Sequence, residues 1–352
     1  MSILTGLRRR ARGLRSATAA LASVASVTAV ASVLAAGLSV VGGAPAQADN
    51  RDWLRPDATG QCEWDAAMYW VQRCDVPSAA MGKAITVQIQ PAGRGGNAGL
   101  YLLDGLRATN ISNAWLTDAN AAATYEHDNI TLVMPVGGAG SFYADWDGPA
   151  TFNPLEPVNY QWETFLTQEL PTYLESNFGV ARNNNSIIGL SMGGTAAVNL
   201  ASKHPDQFRQ VQSYSGYLTT TVPGAQTLMR VALLDAGGFN LNAMYGSIVS
   251  PRRFDNDPLW NMDGLRNSDV YISAASGIPD AVDAVLPPNM LVAGSPLEMV
   301  ARGSTQLWSA KAHATGLAFS EDYPVFGLHN WRQFNDQLVR NRERVLNYMN
   351  AW

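Results

Sequence analysis

Hydrophobic and polar positions follow two kinds of pattern along this chain, and these patterns predict strands that alternate with helices. Residues 84–93, AITVQIQPAG, alternate between apolar and polar side chains, which predicts a strand followed by a glycine-rich turn. LYLLDG at 100–105 and ITLVMPVGG at 130–138 are continuous apolar runs that end in glycine. Such runs are typical of strands that are covered on both faces.

The rest of the chain continues this alternation of strands and helices. Further strands are expected at 186–190, 211–216, 269–277 and 317–325. Helices are expected at 160–178 with a bend or restart at Pro171, and then at 194–205, 296–316 and 330–349. This order predicts an α/β fold with a mostly parallel sheet and helices on both faces. Residues 217–268 fit no strand and are expected to form an insertion over the carboxyl edge of the sheet, where ligands usually bind.

The first 48 residues differ in composition from the rest. Five arginines between positions 8 and 15 precede an Ala-, Val-, Leu- and Ser-rich run over 17–41, and residues 46–48 form a small-x-small triplet. We expect a signal peptide over 1–48 that is cleaved after Ala48, an exported protein, and one domain over 49–352. A retained membrane anchor is the alternative interpretation of the first 48 residues, because about 25 apolar residues can span a bilayer.

The charge of the chain excludes one class of partner. The 352 residues carry a net charge of -5, and removing the leader with its five arginines brings the mature chain to about -10. An acidic chain with no window rich in Lys or Arg is a poor ligand for nucleic acid. We expect no nucleic-acid partner, no metal, no cofactor and a monomeric protein.

The two cysteines, Cys62 and Cys74, lie twelve positions apart. In an exported protein such a pair predicts a disulfide that closes a short loop, with a stabilising effect of about 3 kcal/mol. A zinc site is the weaker interpretation, because no histidine is near and the spacing is not C-x-x-C.

Residues 189–193 read G-L-S-M-G, between an expected strand and an expected helix. In this context the sequence matches the G-x-S-x-G turn that exposes a nucleophilic serine above a sheet. The turn is so tight that the serine takes a strained backbone conformation, and flanking glycines remove the clash with bulky neighbours. The following helix also points its positive amino end toward any negative charge that forms there. Ser191 is therefore the predicted nucleophile.

A serine hydroxyl needs a base, and the chain offers four histidines, His127, His204, His313 and His329. In α/β-hydrolases the acid and then the histidine follow the serine along the chain, which excludes His127. His204 lies about three helical turns beyond Ser191, and His313 lies within an expected helix. His329, between the last strand and the terminal helix, is the predicted base. The residue pattern alone leaves two acids open, Asp280 and Glu298.

An oxyanion hole needs two main-chain N–H groups that point at the developing negative charge. One is expected from Met192, which follows the nucleophile. The other is expected from Leu106, in the loop after the strand at 100–105.

Five segments together resemble the antigen 85 family of mycolyltransferases from mycolate-bearing actinobacteria, and the likeness spans about residues 70–350. They are YLLDGLRA at 101–108, VMPVGGAGSFYADW at 133–146, WETFLTQELP at 162–171, IGLSMGG at 188–194 and GLHNW at 327–331. The resemblance implies an α/β-hydrolase fold. It also implies transfer of a mycolyl chain from trehalose monomycolate to a sugar hydroxyl, on trehalose monomycolate or arabinogalactan, through a mycolyl-serine.

The same resemblance implies roles for individual residues. Ser191 and His329 match the nucleophile and the base. The family's acid is a Glu at a helix start, which favours Glu298, 31 residues before His329, over Asp280. Leu106 and Met192 match the oxyanion amides. The positions that contact trehalose in the family match Asp104, Arg107 and Trp331.

One departure and two alternatives accompany this assignment. The family's elbow often reads Ser-Met-Ala-Gly, whereas Gly193 replaces the alanine here. A secreted carboxylesterase that hydrolyses lipid or sugar esters with the same Ser-His-Glu triad is the first alternative, because both reactions use one catalytic set. A non-catalytic binding protein on this fold is the second.

Overall fold

The computed structural model describes residues 50–155 and 157–352. Its central element is a nine-stranded sheet. The predicted signal peptide over 1–48 lies outside these residues. The strands are β1 Glu63–Trp64, β2 Gln72–Ser78, β3 Lys83–Gln90, β4 Ala98–Leu103, β5 Ile130–Pro135, β6 Asn185–Leu190, β7 Phe208–Tyr214, β8 Asp269–Ser273 and β9 Ser320–Asp322. The helices are α1 Ala114–Thr117, α2 Ala121–Thr124, α3 Trp162–Thr164, α4 Leu170–Phe178, α5 Ser191–Lys203, α6 Ala225–Gly237, α7 Leu241–Tyr245, α8 Pro251–Asp255, α9 Pro288–Ala314 and α10 Trp331–Met349.

The strands lie in the order β1-β2-β3-β5-β4-β6-β7-β8-β9. The first three pairings, from β1 to β5, are antiparallel, and every pairing from β5 to β9 is parallel. Parallel strands bring their carboxyl ends to one edge, so the loops after β4, β6, β7, β8 and β9 meet there. The predicted mostly parallel α/β sheet is confirmed, as are its strands at β3 to β9.

Strand β3 alternates in sequence, yet both of its faces are covered. Gln88 and Gln90, on the polar side of the alternation, are buried. The Gln88 amide donates to Asp65 at 2.6 Å, and the Gln90 amide donates to the carbonyl of Tyr69 at 2.8 Å. The segment between the two cysteines therefore covers this face, and buried amides with partners replace a solvent-exposed surface.

The predicted disulfide between Cys62 and Cys74 is present, and it joins the residue before β1 to β2. Neither strand is evident in the sequence, because QRCDVPS contains charged residues and Pro77. The short β1 pairs only with Gln72 and Arg73. Pro77 therefore lies where β2 is an edge strand, and an edge position tolerates the missing N–H group.

The expected helix over 160–178 is divided near Pro171, as predicted. Residues Phe165–Glu169 form a π-helical segment, and the N–H of Leu170 bonds to the carbonyl of Phe165. The wider turn lets α4 restart with Pro171 in its first turn, where an N–H group has no helical partner to lose.

Helix α9 begins eight residues before the predicted start and contains Pro296. The insertion over 217–268 forms α6, α7, α8 and a 3₁₀ turn at Asp263–Leu265, and it contributes no strand to the sheet. Within the described ranges, no helix combines the length and apolar character that a membrane span requires.

Candidate active site

Ser191 follows β6 directly and is the first residue of α5. Its φ of 51° lies in the left-handed region, which costs a non-glycine residue energy and is found at functional turns. A Cβ on Gly189 would lie 2.0 Å from the carbonyl oxygen of Gly193. The turn therefore has the tight geometry that the G-x-S-x-G pattern predicts, and it leaves the Ser191 side chain at the carboxyl edge of the sheet.

Gly193 lets α5 approach the end of β4. A Cβ at this position would lie 2.4 Å from the carbonyl oxygen of Asp104 and 2.5 Å from that of Leu103. An alanine here, as in the family's common elbow, would require the end of β4 to move away from α5. Glycine at position 193 therefore permits this close packing of the elbow against the end of β4.

His329 and Glu298 form a buried pair, with Nδ1 of the histidine 2.8 Å from Oε2 of the glutamate. The Glu298 side chain is fully buried, and 9% of the His329 side chain is exposed. With Nδ1 donating to the carboxylate, Nε2 is the ring nitrogen that can accept a serine proton. His329 lies in the loop before α10, and its main-chain N–H bonds to the carbonyl of Gly294 in α9 at 3.2 Å.

The second carboxylate oxygen of Glu298 has three donors of its own. Oε1 accepts from the hydroxyl of Ser215 at 2.7 Å, from the N–H of Ala275 at 2.6 Å and from the amide of Gln333 at 3.3 Å. The first two donors follow β7 and β8, and Ser215 has a φ of 51°. Sequence reasoning did not identify them, although both lie just past a parallel strand, at the edge where sites form.

Tyr217 is a further residue that the sequence did not reveal. Its ring centroid lies 6.0 Å from that of His329, and its hydroxyl interacts with the side chain of Ser191. Burial and the negative charge of Glu298 raise the pKa of Tyr217, while the interaction with Ser191 lowers it. Because Tyr217 contacts both residues, it connects the elbow serine to the histidine.

The main chain of Tyr217 is held from α5. Its N–H bonds to Oγ1 of Thr195 at 2.9 Å, and the same hydroxyl donates to its carbonyl at 3.1 Å. Thr195 lies one turn beyond Ser191. The loop after β7 is therefore fixed to the helix that begins with the nucleophile.

The segments that carry the two predicted oxyanion amides both lie close to Ser191. Met192 is the second residue of α5, where helix N–H groups have no intrahelical partner. The N-cap residue, Leu190, makes no capping hydrogen bond with its side chain. The loop that carries Leu106 lies against the elbow, since a Cβ on Gly105 would be 3.9 Å from the Ser191 Cβ. The Leu106 carbonyl accepts the N–H of Gly140 at 2.9 Å, which holds the loop in place.

The three predicted sugar contacts have different surroundings. Asp104 is buried and accepts the N–H groups of Gly105 and Ala114 at 2.7 and 2.9 Å, and burial raises its pKa. Its carboxylate therefore holds the main chain at the end of β4. Arg107 is exposed and pairs with Asp235 of α6. Trp331 is partly buried and packs edge to face against Trp115, with centroids 5.5 Å apart.

The remaining candidates lie away from this group. Asp280 pairs with Arg332 at 2.9 Å and caps the following turn, so it does not serve His329. The pairing of Glu298 with His329 agrees with the acid that the family resemblance favours. The other three histidines contact carboxylates elsewhere: His204 with Glu163, His313 with Glu321, and the exposed His127 with Glu126.

Comparison with known proteins places this geometry in a family. Residues 78–345 match the family described as putative esterase. The chain is 34% identical over 322 residues to the diacylglycerol acyltransferase/mycolyltransferase Ag85A of Mycobacterium leprae, with 91% of each chain covered. It is 38% identical to the Ag85B protein of Mycobacterium avium, with 76% of this chain and 80% of that protein covered.

Solved structures agree on the fold. Mycobacterium tuberculosis MPT51 (FbpC1) superposes with a TM-score of 0.69 at 26% identity, covering 79% of this chain and 98% of that one. An S-formylglutathione hydrolase from Agrobacterium tumefaciens superposes with a TM-score of 0.59 at 16% identity, over 79% and 95% of the two chains. The expected α/β-hydrolase fold is confirmed. The chain belongs to the putative esterase family and, within it, to the antigen 85 mycolyltransferases.

Proposed function

We propose that this protein moves a mycolyl chain from trehalose monomycolate to a sugar hydroxyl, on a second trehalose monomycolate or on arabinogalactan. The observation that carries the proposal is the buried pair of His329 and Glu298, which Tyr217 links to the left-handed Ser191. The mycolyltransferase names of the relatives supply the acyl group and the reaction class.

In the first half-reaction, Nε2 of His329 takes the proton of Ser191 as its Oγ attacks the ester carbonyl. The Met192 and Leu106 N–H groups stabilise the oxyanion. Glu298 orients the imidazole and stabilises its charged form through the 2.8 Å contact. The bond from the acyl carbon to the trehalose oxygen then breaks, and His329 returns the proton to that oxygen. A mycolyl-serine remains.

In the second half-reaction, His329 removes the proton of an acceptor hydroxyl, which attacks the mycolyl-serine carbonyl. The Ser191 oxygen leaves and regains a proton from the imidazole. Water could react in the same way, so transfer requires that the site hold a sugar hydroxyl better than water. Positioning of this kind can raise an effective concentration by about 10⁵-fold or more. Of the three predicted sugar contacts, we assign Arg107 and Trp331 to sugar positioning. The Asp104 carboxylate already accepts two main-chain N–H groups, and we assign it to holding the loop that carries Leu106.

The location and assembly belong to the same proposal. A signal peptide over 1–48 would direct the chain out of the cell, and the single domain over 49–352 would act as a monomer on mycolates of the cell envelope. The disulfide between Cys62 and Cys74 supports export, because such bonds persist in oxidising compartments.

The experiment that tests transfer is a product analysis with and without the acceptor. Purified enzyme is incubated with trehalose monomycolate alone and with added free trehalose carrying an isotope label. A transferase produces trehalose dimycolate in the first reaction and labelled trehalose monomycolate in the second. Free mycolic acid as the sole product in both reactions would favour the carboxylesterase alternative and contradict the proposal.

A further inference from the structure

Exposed apolar side chains line one side of the catalytic edge on α6, and we call them the α6 rim. Leu228, Val231 and Leu234 recur at every third position and are 56%, 61% and 47% exposed. Such spacing places them along one face of the helix. Asp235, next to the last of them, pairs with Arg107 in the loop after β4. The α6 rim is therefore tied to the β4 side of the elbow.

A second group, the α9 rim, lies on the β8 side of the same elbow. Its large apolar side chains are all exposed: Ile278, Val285, Met290, Val292 and Phe326. Main-chain bonds join its segments to the catalytic loop, since Gly327 donates to the carbonyl of Ile278 at 2.9 Å and His329 donates to Gly294 at 3.2 Å. Ser191 follows β6, which lies between β4 and β8 in the sheet. Because one rim is on the β4 side and the other is on the β8 side, the two rims flank the catalytic site.

The ion pairs beside the rims carry no excess of positive charge. Arg107 pairs with Asp235 on one side, and Arg332 pairs with Asp280 and Asp283 on the other. The whole chain is acidic. A surface of this kind has little attraction for anionic head groups. Its binding to a lipid layer is stabilised chiefly by the transfer of apolar side chains out of water. The favoured partner is an uncharged lipid surface.

We propose that the two rims seat the catalytic edge on a layer of uncharged glycolipid, so that acyl chains reach Ser191 without crossing water. This inference rests on the proposed function, whose donor, trehalose monomycolate, is an uncharged glycolipid that assembles in such a layer. Docking would place the mouth of the site at the lipid surface and leave the opposite edge of the sheet in water. It would also raise the local concentration of both substrates.

The test is flotation of the full chain with vesicles of phosphatidylcholine, which carry no net charge. We expect binding that persists in about 1 M NaCl and that added phosphatidylserine does not strengthen. The paired substitutions Val285→Glu with Val292→Glu, and Leu228→Glu with Val231→Glu, should each weaken vesicle binding at least about tenfold. Val339→Glu, an exposed apolar position in the third turn of α10, is the matched control and should bind as the wild type does.

Activity measurements separate docking from chemistry. The rim variants should cleave a water-soluble short-chain ester at the wild-type rate and react more slowly only with trehalose monomycolate embedded in vesicles. Wild-type protein that does not float, or rim variants that float normally, would overturn the docking proposal. Rim variants that instead abolish a concentration-dependent dimer would also overturn it, by assigning the rims to a second copy. Vesicle binding without transfer activity would contradict the proposed function and leave docking intact.

Discussion

The disulfide loop and the catalytic edge both hold non-glycine residues in left-handed conformations, but they hold them by different means. In the loop, Met68, Tyr69 and Trp70 have φ values of 65°, 50° and 57°, and at the catalytic edge Ser191 and Ser215 both have 51°. The loop is closed by the covalent bond between its cysteines and by main-chain hydrogen bonds, such as that from the Val71 N–H to the Met68 carbonyl at 3.0 Å.

The catalytic edge relies on close packing and on one carboxylate. Gly189 and Gly193 allow α5 to pack closely against the elbow and against β4. The four donors around Glu298 join the loops after β7, β8 and β9 to α10. The loop lies beside the amino end of β5, as its contact with Gln90 indicates, whereas Ser191 follows the carboxyl end of β6. We infer that the left-handed residues of the loop maintain its shape, whereas those at the catalytic edge position the catalytic groups. Substitutions in the two regions should separate stability from activity.

The largest effect is expected for Ser191→Ala. Removing the nucleophile should reduce turnover of trehalose monomycolate to the background rate, a loss of roughly 10⁴-fold or more, with glycolipid binding retained. Product formation measured by thin-layer chromatography and binding measured by calorimetry check both parts. Unchanged turnover would mean that another residue is the nucleophile.

The next largest effect is expected for Glu298→Gln. An amide in place of the carboxylate cannot stabilise the imidazolium and favours the wrong tautomer of His329, so kcat should fall by about 10³- to 10⁴-fold. Ser215→Ala, which removes only one of the donors to Oε1, is the matched control and should cost about tenfold or less. If kcat of Glu298→Gln stays within tenfold of wild type, the contact with His329 has no catalytic role.

A stability effect without a catalytic one is expected in the loop. Replacing both Cys62 and Cys74 by serine should lower the free energy of unfolding by about 3 kcal/mol, because the unfolded chain regains the freedom of the loop. Denaturant unfolding followed by tryptophan fluorescence measures this change. The kcat/KM of the folded double variant should remain at the wild-type value, and a large loss of kcat/KM would show that the two regions are coupled.

The smallest effect is expected for Tyr217→Phe. Losing the hydroxyl that interacts with Ser191 should lower kcat about fivefold, the loss of one hydrogen bond of ordinary strength. Since the pKa of Tyr217 is raised by burial, the hydroxyl should stay protonated below pH 10. The ratio of wild-type to variant kcat should therefore be constant from pH 6 to 9.5. A ratio that changes across this range would assign Tyr217 an ionised role.

The sequence predicted the parts of this molecule that depend on local pattern. The parallel strands follow from continuous apolar runs, the elbow follows from its glycines, and the helix restart follows from Pro171. The order of residues along the chain was enough to identify His329 as the predicted base. For the acid the pattern left Asp280 and Glu298 equal, because each lies near the end of β8 or the start of a helix.

What the sequence did not predict depends on contacts between distant segments. Strand β2 pairs with β3 over all seven of its residues and carries the disulfide to Cys62, yet nothing in QRCDVPS indicates a strand. Ser215 and Gln333 meet at Glu298 from positions 83 and 35 residues away, a distance that no local pattern spans. Tyr217 belongs to the same class, because its partners are Ser191 and His329.

The most direct test of the central claim is the mass of the intact protein after brief incubation with trehalose monomycolate. If the Ser191 hydroxyl forms the covalent intermediate, the spectrum should gain a species heavier by one mycolyl group, and peptide mapping should locate the group on Ser191. That species should disappear when trehalose is added and should be absent from Ser191→Ala. An enzyme that turns over without any acylated species, or with the acyl group on another residue, would contradict the account.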